Sequence, residues 1–360
     1  MSLRISTAII ATAFVVSAAG ASLVGQARPA AAPSLEAAPS ADRVKAFIAA
    51  RTARSFVAPK TPWGDPDIQG NFTTKEEANT PFERPEKWAG RKIEDITPEE
   101  LAADIIERQQ RAVEQAPFAG GGEPEEGVAI AVPIHWFDNL ASQNARPWFV
   151  IDPADGMIPP TTGTAQAAAT PLPRDVRLRG GRRDSYTDRS LGDRCIGFGL
   201  WRLPAIYGNS YQLLQTPDHV VMRYEMIHEA RVIPLNDRTP VGSGFNRYMG
   251  DSRGHFEGNT LVVETTNINP SVAFRFGGGA SAKNQRVIER FTRIGPKQVE
   301  WTVTIDDPTT YVRPWTYSMP MTQDDKQIIY EYACHEGNYG LANLLSAGRA
   351  DEKNGQSEKR

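Results

Sequence analysis

The chain lacks most of what would place it at first sight. Its 360 residues hold only two cysteines and five histidines, with no C-x-x-C, H-x-H or H-E-x-x-H run. No metal centre is expected, because His335-Glu336 supplies only the first half of a zincin pattern. No G-x-G-x-x-G is present, and Gly277-Gly278-Gly279 lacks the Lys and Ser/Thr of a phosphate loop. No cofactor is therefore expected. Ser252 stands in Asp251-Ser252-Arg253-Gly254 rather than in a G-x-S-x-G elbow, which removes an α/β-hydrolase serine. An excess of positive charge is also missing: 40 Lys and Arg face 43 Asp and Glu, for a net charge of −3. That balance gives no general attraction to nucleic acid.

What is abundant is glycine and proline, 30 and 27 residues, together about 16% against a usual 12% or so. Turns and long loops are expected rather than a helical bundle. With 40% hydrophobic residues, the chain can still bury a substantial core.

The one long apolar run lies at the start. Residues 1–27 carry a single early cation, Arg4, then the uncharged stretch Ile5 to Val24, closed by Ala19-Gly20-Ala21 and Gly25-Gln26-Ala27. This reads as a signal peptide with a small-residue cleavage rule, so the protein is expected to be periplasmic or secreted, with no stable membrane insertion after cleavage. An uncleaved anchor is the alternative, since a run of about 20 residues can span a bilayer. No twin arginine precedes it, which argues against export of a prefolded cofactor enzyme. Residues 28–60 have the composition of a linker and N-terminal arm, with an amphipathic segment from Ser40 to Phe56. In an oxidising compartment the even pair Cys195 and Cys334 is most simply a disulfide. The alternative is a nucleophilic Cys334 beside His335, but neighbours on a strand point to opposite faces.

Residues 61–349 read as one domain with a helical and loop insertion around 97–208, followed by a loose polar tail at 350–360. The helix runs from Thr97 to Gln115, with Thr97 as N-cap, Pro98 at the first helical position and Glu100 completing a capping box. Leu101, Ile105, Ile106 and Val113 form its apolar stripe, and Asp104, Glu107, Arg108 and Arg111 are expected on the solvent side. From Gly120 to Gly208 the chain is irregular, and Arg174 to Arg194 holds seven Arg against four Asp. That run is read as a solvated loop, with an anion site as the alternative.

After Tyr207 the hydrophobic period becomes two. His219 to Leu235 alternates so that Val220, Met222, Tyr224, Met226, His228, Ala230 and Val232 share one face, with Arg223, Glu225, Glu229 and Arg231 on the other. Phe256 to Asn267 reads as a hairpin turning at Glu257-Gly258-Asn259. Further strands are expected at Val287 to Ile294, Val299 to Ile305, Tyr311 to Met321 and Ile328 to Cys334, with a short helix at Leu341 to Arg349. Consecutive short-turned strands suggest an antiparallel up-and-down β-barrel, a mainly β fold with long loops and a few peripheral helices. Asp67-Ile68-Gln69-Gly70-Asn71-Phe72 resembles the G-x-W opening strand of lipocalin-like barrels, with Phe72 where that family has Trp.

Five further runs stand together: Thr61 to Gly70 (TPWGDPDIQG), Gln215 to Val220 (QTPDHV), Glu225 to Arg231 (EMIHEAR), Met249 to Gly254 (MGDSRG) and Tyr330 to Gly340 (YEYACHEGNYG). This set resembles a large family of secreted bacterial proteins that carries no assigned reaction. The resemblance implies a secreted single-domain protein and leaves the chemistry to the residues.

The alternation sets His228 on the face that a barrel turns inward, where an imidazole can act as a general acid–base near neutral pH. A structural histidine bonded to a neighbouring strand is the plainer alternative. Asp251, in a glycine-bounded turn, can orient or receive a proton, and Arg253 can hold an anionic group. Tyr332 or Tyr224 can donate to developing negative charge. Tyr311, Arg313, Trp315 and Tyr317 share an aromatic face, and Trp301 and Trp315 can wall a pocket. The candidate catalytic residues are thus His228, Asp251 and Tyr332; the candidate ligand-binding residues are Tyr224, Arg253, Trp301, Arg313 and Trp315. The expected partner is a hydrophobic or aromatic small molecule, transformed by cofactor-independent lyase or isomerase chemistry. A non-catalytic lipocalin-like carrier is the alternative, and a structural envelope component a third.

Overall fold

The computed structural model describes residues 56–77, 79–114, 146–163, 184–200, 203–205, 207–235, 241–242, 244–269, 284–326 and 328–353. The expected signal peptide, most of the expected N-terminal arm, the Gly277-Gly278-Gly279 run, most of 120–183 and the end of the tail lie outside them.

Ten strands form one antiparallel sheet: β1 (Gly70–Thr73), β2 (Val150–Asp152), β3 (Ser210–Gln215), β4 (His219–Tyr224), β5 (Ala230–Pro234), β6 (Asp251–Glu257), β7 (Thr260–Thr266), β8 (Arg286–Gly295), β9 (Gln298–Asp306) and β10 (Trp315–Gln323). Nine of them follow the order β5-β4-β3-β1-β10-β9-β8-β7-β6, and β2 extends the wall beside β10. The result is a nearly closed barrel, as the period-two pattern implied. Among the described residues two α-helices accompany it, α1 (Pro98–Glu114) and α2 (Tyr339–Lys353). β1 is the segment with the lipocalin-like opening; it lies between β3 and β10 and joins the two meanders into one wall.

Inside the barrel the alternation is followed on β8 and β9, and on β10 the odd-numbered residues join the same core. Val287 and Phe291, then Val299, Trp301, Val303 and Ile305, then Trp315, Tyr317, Met319 and Met321 are all buried in one core. β6 and β7 meet at a two-residue turn in which Gly258 has φ of 58°, a conformation that glycine adopts without a Cβ clash. Between β5 and β6 no backbone ladder is present among the described residues. Their seam is filled by side chains instead: a Cβ on Gly254 would stand 2.9 Å from Ile233 Cγ2 and 3.0 Å from Leu235 Cδ2.

Helix α1 begins as its capping box requires, with Glu100 N donating to Thr97 Oγ1 at 3.2 Å and Thr97 N donating to Glu100 Oε2 at 2.9 Å. The expected solvent side is corrected in part. Asp104 and Arg108 are buried, because Lys87 reaches Asp104 at 2.5 Å and the Arg108 guanidinium donates to the carbonyls of Asn79 and Arg146. Another correction concerns 328–334. This segment pairs with no described strand, and the place beside β10 that a meander would give it is already filled by β9 on one edge and by β1 and β2 on the other.

Cys195 and Cys334 form the expected disulfide. It ties the 190–200 loop to the segment before α2, and Asn338 Nδ2 adds a bond to the Asp193 carbonyl at 3.2 Å. Leu191 and Leu200 of that loop join the barrel core. A disulfide suits an oxidising, extracellular compartment. No helix among the described residues is long and apolar enough to cross a membrane.

Candidate functional site

The alternation through His219 to Leu235 breaks at a place the sequence does not mark. β4 and β5 are two strands of a hairpin, and Tyr224 N donates to Glu229 O across the loop at 2.8 Å. Four residues, 225–228, intervene. Ile227 and His228 within them have φ of 53° and 43°, left-handed values that are rare for non-glycine residues and strained for a β-branched one. Across this hairpin Met222 faces Arg231 and Val220 faces Ile233. Odd-numbered residues therefore point inward on β5, and a change of one residue in register moves every side chain to the other face.

Two consequences follow. His228, expected inside, is exposed. Its Nδ1 lies 3.0 Å from the Tyr332 carbonyl oxygen; a carbonyl only accepts, so Nδ1 donates and Nε2 keeps the lone pair of the neutral ring. Arg231, expected outside, is buried, and Val232, expected inside, is 58% exposed.

In the barrel interior the Arg231 guanidinium meets Glu289 of β8. Nη1 donates to Oε2 at 2.5 Å and Nη2 to Oε1 at 3.1 Å, and each side chain is only 2% exposed. Trp301 Nε1 adds a third donor to Glu289 Oε1 at 3.2 Å. Burial, the largest single influence, would lower the Arg231 pKa, but the Glu289 charge, Tyr224 and the hydrogen bond to Glu289 together outweigh it and the net direction is upward. Aromatic rings surround the pair. Phe291 stacks on Trp301 at 5.5 Å between centroids, and Tyr211 lies edge-on to both Trp301 and Tyr224 at 5.8 Å. Burial, reinforced by the Glu289 charge, pushes the Tyr317 phenol well above its usual range. Trp315 continues the wall, 6.0 Å from Tyr317, and Phe82 leans on both.

Of the eight expected site residues, Tyr224, Trp301 and Trp315 thus line the interior. The others lie elsewhere. Asp251 is the buried first residue of β6, where it accepts from Val241 N at 2.8 Å and from Arg253 Nη1 at 2.7 Å, holding loop to strand. Arg253 is partly exposed in that pair. Arg313, expected on the aromatic face, precedes β10 because Pro314 has no N–H for the ladder; it is exposed and 3.1 Å from Asp152. Tyr332 is partly buried beside the His228 turn. Burial, with a hydrogen bond to Tyr207, pushes its phenol up to about 12. His228 and Tyr332 are therefore neighbours, and Asp251 makes its bonds with other partners.

The interior pair was not foreseen. Glu289 carried a signal, a carboxylate at period two between Val287 and Phe291; Arg231 carried none, because no glycine, asparagine or proline marks the turn before it.

No protein-family model and no curated protein matches the sequence. Among solved structures, a secretary abundant heat soluble (SAHS) protein from Ramazzottius varieornatus is similar over 32% of this chain and 74% of its own, with 13% identity and a TM-score of 0.22. At that TM-score the likeness has no weight for fold or function. Function rests on the geometry alone.

Proposed function

We propose that this protein is an exported binding barrel that holds a hydrophobic or aromatic small molecule in its interior without transforming it. The observation that carries the reading is the interior wall: Tyr211, Tyr224, Trp301, Tyr317 and three methionines, Met222, Met319 and Met321, belong to one buried core, and Trp301 and Met222 touch its buried ion pair. Small-molecule sites combine such apolar walls with a few fixed polar groups, and a barrel interior is a common place for them. The rings already touch, so a guest enters by rearranging side chains, and unbranched thioethers adapt readily. Export to the periplasm or medium agrees with the disulfide and with the reading of residues 1–27 as a signal peptide. The test is to purify the protein from its oxidising compartment, extract it, and search the extract for a stoichiometric lipophilic compound. Tryptophan fluorescence is then titrated with that compound. Saturable quenching centred on Trp301 supports the reading; a compound-free protein whose fluorescence no aromatic ligand perturbs removes it.

Acid–base catalysis at His228 is a second reading. Its support is the tautomer set by the Tyr332 carbonyl, which leaves Nε2 as a solvent-facing base on a strained turn. His228→Gln should then abolish turnover of any substrate found while leaving its binding within about tenfold.

A further inference from the structure

Arg231 is almost wholly buried and spends both terminal nitrogens on Glu289, yet its Nε has no hydrogen-bond partner among the described residues. A buried N–H without an acceptor costs free energy, and a group that supplies the acceptor recovers it. We infer that the guest of this barrel carries a neutral acceptor, a carbonyl oxygen on an aromatic or cyclic frame, that receives the Arg231 Nε–H. The inference rests on the binding-barrel reading above.

The charge of the site selects the neutral class. Glu289 balances the guanidinium at hydrogen-bond distance, so the pair leaves Nε as the nitrogen without a partner and has no net positive charge to draw an anion. The side chains around the pair select the frame. Tyr224 faces Tyr211 across the β3–β4 ladder, and Tyr211 and Phe291 both contact Trp301, giving flat surfaces for a ring. Met222 Sδ lies 3.7 Å from Arg231 Nη2, so the side chain most able to move aside stands next to the guanidinium that would bind the guest.

The test uses the full chain and three fluorescent probes: 6-propionyl-2-dimethylaminonaphthalene, a neutral aryl ketone whose emission moves to the red when its carbonyl accepts a hydrogen bond; N-phenyl-1-naphthylamine, which lacks a carbonyl; and 1-anilinonaphthalene-8-sulfonate, which is anionic. The native protein is compared with the double variant Arg231→Met/Glu289→Met, which removes both charges together and leaves no lone buried ion. In the native protein the ketone should bind at least tenfold more tightly than either other probe, with hydrogen-bonded emission, and the double variant should lose that preference. Equal binding of ketone and arylamine, a preference for the sulfonate, ketone emission typical of a dry apolar site, or a preference that survives in the double variant would each overturn the inference while leaving the barrel reading intact. If no probe binds the native protein, both fall. Should the double variant not fold, the native protein's probe ranking and ketone emission decide alone.

Discussion

Along β8, β9 and β10 odd-numbered residues face inward on every strand, and the β6–β7 hairpin changes parity at a two-residue turn that Gly258 marks, whereas β4 and β5 are joined by a loop that changes parity with no such marker. In the first region Gly258 takes the positive φ that the tight β6–β7 turn needs. In the second region that conformation falls on Ile227 and His228, residues that ordinarily avoid it. The difference teaches that a strained turn can do what composition cannot announce: it carries an arginine from the expected outer face to the middle of a barrel. Without the reversal Glu289 would stand alone among aromatic rings.

That contrast can be broken at several points. The largest expected effect is at the disulfide, which ties the 190–200 loop to the segment before α2 across a sequence separation of 139 residues. Replacing both cysteines by serine should cost about 5 kcal/mol in the chain-entropy model, read as a lower denaturant midpoint. Hydrogen exchange should then rise more in β4 and β5 than in β8 and β9.

Glu289→Ala comes next, with an expected loss of about 3 to 5 kcal/mol because it strands the Arg231 charge in the core. The double variant Arg231→Met/Glu289→Met should restore stability to the native value or above. A single variant as stable as the double one would show that the pair is not enclosed.

Gly254→Ala probes the seam between the two regions. Its Cβ would press on Ile233 and Leu235 at about 3 Å, and the expected loss is about 1 kcal/mol, the low end for overpacking, since the ends of both side chains can shift. Thr97→Ala, away from the barrel, should cost about 1 kcal/mol through its helix cap.

The same cap gives a pH signature. Arg91, followed by the Thr97 backbone N–H, holds the Glu100 carboxyl down to about 2 from its ordinary 4.5. A depressed carboxylate contributes stability above its unfolded pKa, and that contribution disappears as the pH falls from about 4.5 towards 2. Glu100→Gln should flatten the acid limb of helix α1 monitored by circular dichroism. The smallest effect is expected from His228→Asn, within a few tenths of a kcal/mol, since asparagine tolerates left-handed φ while the bond to the Tyr332 carbonyl is lost.

Much of the wall was legible. The hairpin at Gly258, the joint face of Val299, Trp301, Val303 and Ile305 and the Thr97 cap follow from local rules of period, turn chemistry and capping; the opening strand near Phe72 rests on the lipocalin-like resemblance and the Cys195–Cys334 pair on the cysteine count. What misled was continuity. The apolar and polar residues of His219 to Leu235 alternate without punctuation, so a hairpin reads as one strand, and His228 and Arg231 exchange faces. Ile328 to Cys334 reads as a strand because strand propensity is local, whereas the edge it needs is already taken by β1, a segment about 250 residues earlier in the chain.

By itself the amino-acid sequence determined the mainly β character, the helix start, the turn at Gly258 and the pairing of the two cysteines, because each depends on neighbours along the chain or on there being one partner to choose. Only the tertiary structure decided which residues look inward on β5 and that Arg231 meets Glu289. Those outcomes depend on the register of one strand against another, and register is set where the whole wall packs.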